Sequence, residues 1–365
     1  MELKDKLVLI VAVIAISSIS FGEMGVWVVR DMITSPASID EIVYTAEQLG
    51  IDRLYVQVVG RADAFYKSDI LPRSHLLKSA PKDFDPLGYL LEKVKGTGIK
   101  VSAWMNVFYA WSFSSRPEDP MHVLNQHPDW VTYDEKGYSM FEYNKAPDVT
   151  VPGIFLDPGV DEVKRFVASV AEEIAKKYDV DEIHLDYIRY PYRTFGYNPT
   201  VMRKFRKWTR KALKEGKIKS FAEASFDDFR REQVNETVRL IYEKVKKYGK
   251  KISAAVYPYY PNAHDDVLQD WPAWIKGGYL DFAVLMAYDP DPLVIKSYID
   301  FYEKMLGSLK KIRIGLGLYK VNSDPELLRN LLKTAKSGKP NEIVVFSYKF
   351  LNETSKNVLL SFTKH

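Results

Sequence analysis

Eight short apolar runs, each followed by a helical stretch, constrain this chain more than any other feature. They are GVWVVR (25–30), RLYVQVV (53–59), IKVSAWMNVF (99–108), DEIHLDYI (181–188), KKISAAVYP (250–258), YLDFAVLMAY (279–288), IRIGLGLY (312–319) and NEIVVFSY (341–348). Each is apolar enough to be buried on both faces, as the strands of a parallel sheet are. The intervening segments carry helix signals. Ser38 with Glu41 reads as a capping box and Gly50 as its stop. Asp85 and Pro86 open the next helix, with proline in its first turn. DPGVDEVKRFVASVAEEIAKKY (157–178) has apolar positions at helical spacing.

Eight alternations predict an α/β protein, a single-domain (β/α)8 TIM barrel. The loops after strands 3 and 4, residues 109–154 and 190–226, hold the extra length. A doubly wound sheet would place a glycine-rich phosphate turn after its first strand, and VVRDMITSP is not one. Ahead of the barrel, MELKDK carries two lysines, and LVLIVAVIAI has the length of a signal-peptide core rather than of a membrane span. Ser20-Phe21-Gly22 offers a small-x-small cleavage site. The expectation is a signal peptide over 1–22 and a barrel over 23–365, exported to the periplasm, cell envelope or exterior, with no membrane span after cleavage. An uncleaved anchor is the alternative.

Composition removes several chemistries. With no cysteine there is no disulfide, thiolate catalysis or Cys metal site, and the six histidines form no H-E-x-x-H pair. No metal site and no cofactor are expected. His264–Asp266 reads better as a solvated loop than as a metal site. A net charge of +4 is too mild to indicate nucleic acid, and the basic run 203–219 reads as a solvent-facing helix. The 24 tyrosines and 7 tryptophans are abundant enough to line a groove that stacks on sugar faces.

In such a barrel the C-terminal strand ends carry the chemistry. They offer Arg30 and Asp31; Gln57, Arg61, Asp63 and Tyr66; Trp104, Asn106 and Tyr109; Asp186, Tyr187 and Arg189; Tyr257 and Tyr259; Tyr288 and Asp289; Tyr319 and Lys320; Tyr348 and Lys349. Short polar groups beside aromatics suit a polyhydroxylated substrate, so a polysaccharide is the expected partner. Glycosidic cleavage ordinarily needs two carboxyl groups. Asp186 is the first choice, with Arg189 expected to hold it ionised. Asp63, Asp157 and Asp289 all stay open as its partner. Each has a structural reading too: Asp186 paired with Arg189, Asp63 and Asp289 in turns, Asp157 as a helix cap.

Several blocks in register, among them YVQVVGRADAFYKSD, HPDWVTYDEKG, FLDPGVDEV, DEIHLDYIRYP, FRREQVNETV and LQDWPAWIKGGYLDF, resemble the bacterial glycosyl hydrolase-like 10 family. The resemblance implies an exported barrel glycosidase, and includes enzymes that cleave peptidoglycan glycan strands stripped of stem peptides. By position it implies Asp63, Asn106, Asp157 and Asp186 as site residues, with Arg231 and Asn235 on a helix. A fainter similarity, IHLDY with LMAYD, is to chitinase-type barrels that use the substrate's N-acetyl group as nucleophile. There Asp186 would orient that group and Tyr288 bind it, but Ile188 stands where the acid glutamate belongs. The expected function is therefore hydrolysis of an envelope glycan of N-acetylated sugars. The alternatives are a glycosidase for another polysaccharide, for example an α-linked one, and a non-catalytic glycan-binding barrel.

Overall fold

The computed structural model describes residues 22–113, 115–142 and 151–363. The expected signal segment lies outside them except for Gly22. Strands β1 (Glu23–Val28), β2 (Arg53–Val59), β3 (Lys100–Asn106), β6 (Glu182–Asp186), β7 (Lys251–Val256), β8 (Phe282–Ala287), β9 (Ile312–Gly317) and β10 (Glu342–Phe346) close into one parallel barrel. Each of the eight apolar runs supplies one of these strands. Barrel strands consecutive in sequence lie side by side, because each intervening helix returns the chain to the next edge. Strands β4 (Tyr109–Trp111) and β5 (Ile154–Phe155) pair antiparallel within the long loop after β3.

Two helix starts differ from the sequence reading. The first helix, Pro36–Gln48, is capped by Ser35, whose hydroxyl accepts from the Ser38 N–H at 3.2 Å. Pro36 decides this: a residue without an N–H fits the first helical position, so Ser38 falls inside the first turn. Asp157 does not cap the helix Asp161–Lys177 either. Asp85 does cap Pro86–Lys93, accepting from the Gly88 N–H at 3.0 Å.

Side chains alternate across each strand, so one set packs outward against the helices and the other fills the bore. The inner set contains Trp27, Tyr55, Trp104, Phe282, Val284 and Val344. Trp27 fits because β9 carries glycine opposite it: a Cβ on Gly315 would lie 2.6 Å from the indole. Beneath this aromatic layer is a charged one. Buried Arg53 meets Glu182 at 3.4 Å, Glu342 at 3.5 Å and Glu23 at 3.7 Å, and Arg313 meets Glu342 at 3.4 Å.

A hydrogen-bonded column rises from that layer. The Trp27 indole N–H donates to His184 Nε2 at 3.2 Å, and His184 Nδ1 lies 2.7 Å from Ser253 Oγ. Because Nε2 accepts, Nδ1 carries the proton and donates to the hydroxyl, which in turn donates to Glu182. Burial pushes His184 down to about 3, so it stays neutral.

Candidate active site

The C-terminal mouth of the barrel holds a cavity of about 520 Å³. Its floor and walls come from strand ends: Trp27 from β1, Gln57 from β2, Trp104 and Asn106 from β3, Asp186 from β6, Met286 from β8 and Phe346 from β10. Arg30, Tyr109, Tyr187, Arg189, Tyr257 and Tyr288 follow just beyond those ends. A second cavity, about 590 Å³, lies beside it under the loops after β2 and β4, lined by Arg61, Asp63, His75, Trp111 and His122 among others. A third, about 690 Å³, opens at the opposite mouth against Glu23, Arg53 and Arg313. That end of such a barrel serves stability rather than chemistry.

Asp186 is the one carboxylate among the described residues lining the rim cavity. It is 8% exposed. Its Oδ1 accepts from the N–H of Tyr187 at 2.7 Å. Tyr187 has φ +50°, a left-handed conformation that a non-glycine residue adopts at a cost of roughly 1–3 kcal/mol and that clusters at functional sites. This turn lets the chain leave β6 with the carboxylate facing the bore.

The expected clamp by Arg189 is not there. Arg189 donates to the carbonyls of Tyr190 at 3.0 Å and Pro191 at 3.4 Å, and lies over the rings of Tyr187 and Tyr257. It makes no ion pair with Asp186 among the described residues. Burial therefore dominates and raises the Asp186 carboxyl to about 6, against smaller opposing effects of the Tyr187 N–H, the Arg189 charge and the Trp104 indole. A carboxyl in that range exchanges protons near neutral pH, as acid–base catalysis requires.

Around Asp186 runs a polar belt. Asn106, its register partner on β3, donates to the carbonyl of Gly60 at 2.8 Å. Its Oδ1 accepts from Gln57 at 3.3 Å and from the Trp104 indole at 3.1 Å. Gln57 accepts in turn from the Arg30 side chain at 3.3 Å. Aromatic rings close the rest: Tyr288 stacks on Phe346 with centroids 5.2 Å apart and meets Trp27 edge-on at 6.1 Å. Burial pushes the Tyr288 hydroxyl well up, so it stays protonated.

Of the sequence-selected residues, the rim cavity gathers Gln57, Trp104, Asn106, Asp186, Tyr187, Arg189, Tyr257 and Tyr288. The others lie elsewhere. Arg61 and Asp63 line the side cavity. Asp157 is wholly buried just after β5, accepting from the Gly159 N–H at 2.8 Å and the Tyr190 hydroxyl at 3.2 Å. Asp289 accepts from the Asp291 N–H in a turn after β8. Arg231 and Asn235 sit on the outer helix Phe226–Val245, where Asn235 accepts from the Trp274 indole at 2.6 Å and Arg231 donates to the His264 carbonyl at 3.2 Å. Ile188 is fully buried and does not line the cavity. The site selection missed Trp27, Met286 and Phe346. Their signal was parity, since each shares the inward face with the polar residues of the bore. No group of three or more His, Asp or Glu among the described residues could hold a metal ion.

Known proteins resemble this chain in sequence and in fold. The chain is 25% identical over 315 residues to glycosyl hydrolase YngK of Bacillus subtilis strain 168, covering 77% of this chain but 56% of that protein. It thus spans little more than half of that relative. It is 24% identical over 336 residues to glycosyl hydrolase DigH of Escherichia coli K12, covering 82% of this chain and 69% of that one. The glycoside hydrolase domain of PgaB (BpsB) from Bordetella bronchiseptica has the same fold, with a TM-score of 0.68 at 14% identity over 93% of this chain and 98% of that one. The catalytic domain of a β-amylase from Paenibacillus polymyxa follows at 0.58 and 12% identity, over 93% and 97%. The model of the glycosyl hydrolase-like 10 family matches residues 23–345, from the first residue of β1 nearly to the end of β10. With seven barrel strands and nearly all of the eighth inside that match, the chain belongs to the glycosyl hydrolase-like 10 family.

Proposed function

We propose that this chain is a glycoside hydrolase acting on an envelope glycan of N-acetylated sugars, with stripped peptidoglycan strands as its substrate. The observation that carries this is Asp186, a buried carboxyl at about 6 on the floor of an aromatic cavity of glycan-binding size. Protonated, it donates to the departing glycosidic oxygen; ionised, it takes the proton of the attacking water. A two-carboxylate mechanism needs a second group across the bond. An N-acetylated sugar relaxes that need, because its own acetamide carbonyl can attack the anomeric carbon. The ring faces of Trp104, Tyr187 and Tyr257 supply stacking, and the Tyr288 hydroxyl supplies a donor. The test is product analysis on purified denuded strands: new reducing ends from the wild type and far fewer from Asp186→Asn.

A glycan-binding barrel without turnover is the second reading. Asp186 being the lone carboxylate of the described cavity wall favours it. Strand retention with no released ends would establish it. Export belongs to the same proposal. It rests on the apolar core at 7–16 and on β1 starting at Glu23, the residue after the expected cleavage site. Mass spectrometry should find a mature N-terminus near Glu23; a full-length cytoplasmic product would rule it out.

A further inference from the structure

Two guanidinium groups, one in each of the rim and side cavities, have no carboxylate in ion-pair contact among the described residues. Arg30 lines the rim cavity and Arg61 the side cavity. Tyr109, which lines the rim cavity, feels the charge of both. Among the described residues, no carboxylate oxygen forms an ion pair with either within 4 Å. The nearby acids, Asp63 and Asp31, lend Arg30 charge from a distance without pairing with it. Asp63 Oδ1 accepts from the main-chain N–H of Arg61 at 2.8 Å, and Asp31 pairs with Lys349. Arg53 at the other end of the bore meets three glutamates.

The position of Arg30 is built, not incidental. Its side chain lies so close over Gly60 that a Cβ there would come 2.3 Å from Cδ and 2.9 Å from Nε and Nη1. Gln57 Oε1 accepts both its main-chain N–H and its Nη1 at 3.3 Å. Arg61 lies over the Trp111 ring at 5.5 Å, and its buried Nε has no hydrogen-bond partner among the described residues. Burial and the like charge of Arg61 work against Arg30 and outweigh the opposing charges of Asp63 and Asp31. Two half-buried cations that repel each other are costly unless an anion arrives between them.

We propose that Arg30 and Arg61 together seat a carboxylate carried by a sugar of the bound glycan, one ring away from the sugar at Asp186. Guanidinium groups match a carboxylate in geometry and form charge-assisted hydrogen bonds, which a neutral polysaccharide would leave unmade. The inference rests on the glycan reading and names the residues that would read the acidic sugar of such a strand.

The test is calorimetric titration of the full chain, as wild type and as Asp186→Asn to slow turnover. The two probes are one oligosaccharide of alternating N-acetylglucosamine and N-acetylmuramic acid, as the free acid and as its methyl ester. The expected result is at least about tenfold tighter binding of the acid, with the ratio falling toward one in the Arg30→Gln, Arg61→Gln double variant. Arg30→Lys, which keeps the charge but not the fork, should retain part of the preference. Equal affinity for acid and ester in the wild type overturns the inference and leaves the glycan reading standing. A preference that survives in a folded double variant overturns it as well. No binding of either probe overturns the glycan reading and this inference with it.

Discussion

Glu182 and Asp186 stand on the same inward face of β6, at opposite ends of the bore. Glu182 ends among partners: Arg53 at 3.4 Å and the hydroxyl of Ser253, with Arg313 contributing charge from further off. Asp186 ends among rings, with one main-chain N–H at 2.7 Å and no ion pair. Burial raises both carboxyls. The lower layer meets that cost with opposite charges, which ties five strands together. At the upper layer the cost is left standing as proton affinity. One strand thus uses the same physical term for cohesion at one end and, in the proposed mechanism, for chemistry at the other.

The sharpest way to break this contrast is at the lower end. Arg53→Met leaves Glu182 and Glu342 buried without their main cation and should destabilise the fold by about 3–5 kcal/mol, read from the urea midpoint. Turnover per folded molecule should hold, because Arg53 lies below the aromatic layer. An equal loss of activity would mean that the two ends are not separable.

Asp186→Asn tests the upper end. Glycan cleavage should fall on the order of a hundredfold or more, with no loss of stability because the isostere fills the same space. A variant keeping more than a tenth of wild-type cleavage would end the assignment. Tyr288→Phe should cost less, roughly tenfold in kcat, and leave the melting temperature unchanged, since the described structure gives the hydroxyl no protein partner to lose. A drop of several degrees with activity tracking it would make Tyr288 structural.

A separate test of the same contrast is stability against pH. Folded Asp186 keeps its proton up to about 6, whereas the unfolded chain loses it near 4. Between those values the folded state holds the extra proton, so this contribution to stability declines as pH rises. Glu342, raised by burial to about 7, acts in the same direction over a higher window. Urea midpoints of Asp186→Asn should therefore gain on the wild type between pH 4 and pH 6; parallel curves would contradict the raised carboxyl.

The fold was legible because every barrel strand is an apolar run bounded by helix signals, and that pattern has few solutions. Asp186, Asn106 and Gln57 were legible as polar residues at the ends of such runs. The partner carboxylate was not. Ladder registry shifts between Gln57 and Val59, and Ala62 takes φ +54°, which together swing Asp63 toward the side cavity. Neither feature shows in the residue types. Asp157 falls outside the rim cavity because the Trp130 carbonyl and the Tyr190 hydroxyl hold it, contacts made across long stretches of sequence. Tyr348 looked like the rim residue of the last strand, but the chain turns after Phe346 and the Tyr348 hydroxyl donates to Thr45 behind the barrel at 3.3 Å. Phe346 takes the rim instead.

The central claim is that Asp186 works because it is buried and unpaired. The direct measurement is the pH dependence of kcat/KM on denuded glycan strands, set beside the titration of the Asp186 carboxyl followed by carbon-13 NMR against the Asn variant. The account predicts a carboxyl midpoint near 6 and an activity that declines with the same midpoint as the proton is lost. A carboxyl titrating near 4, with activity flat through neutral pH, would contradict it.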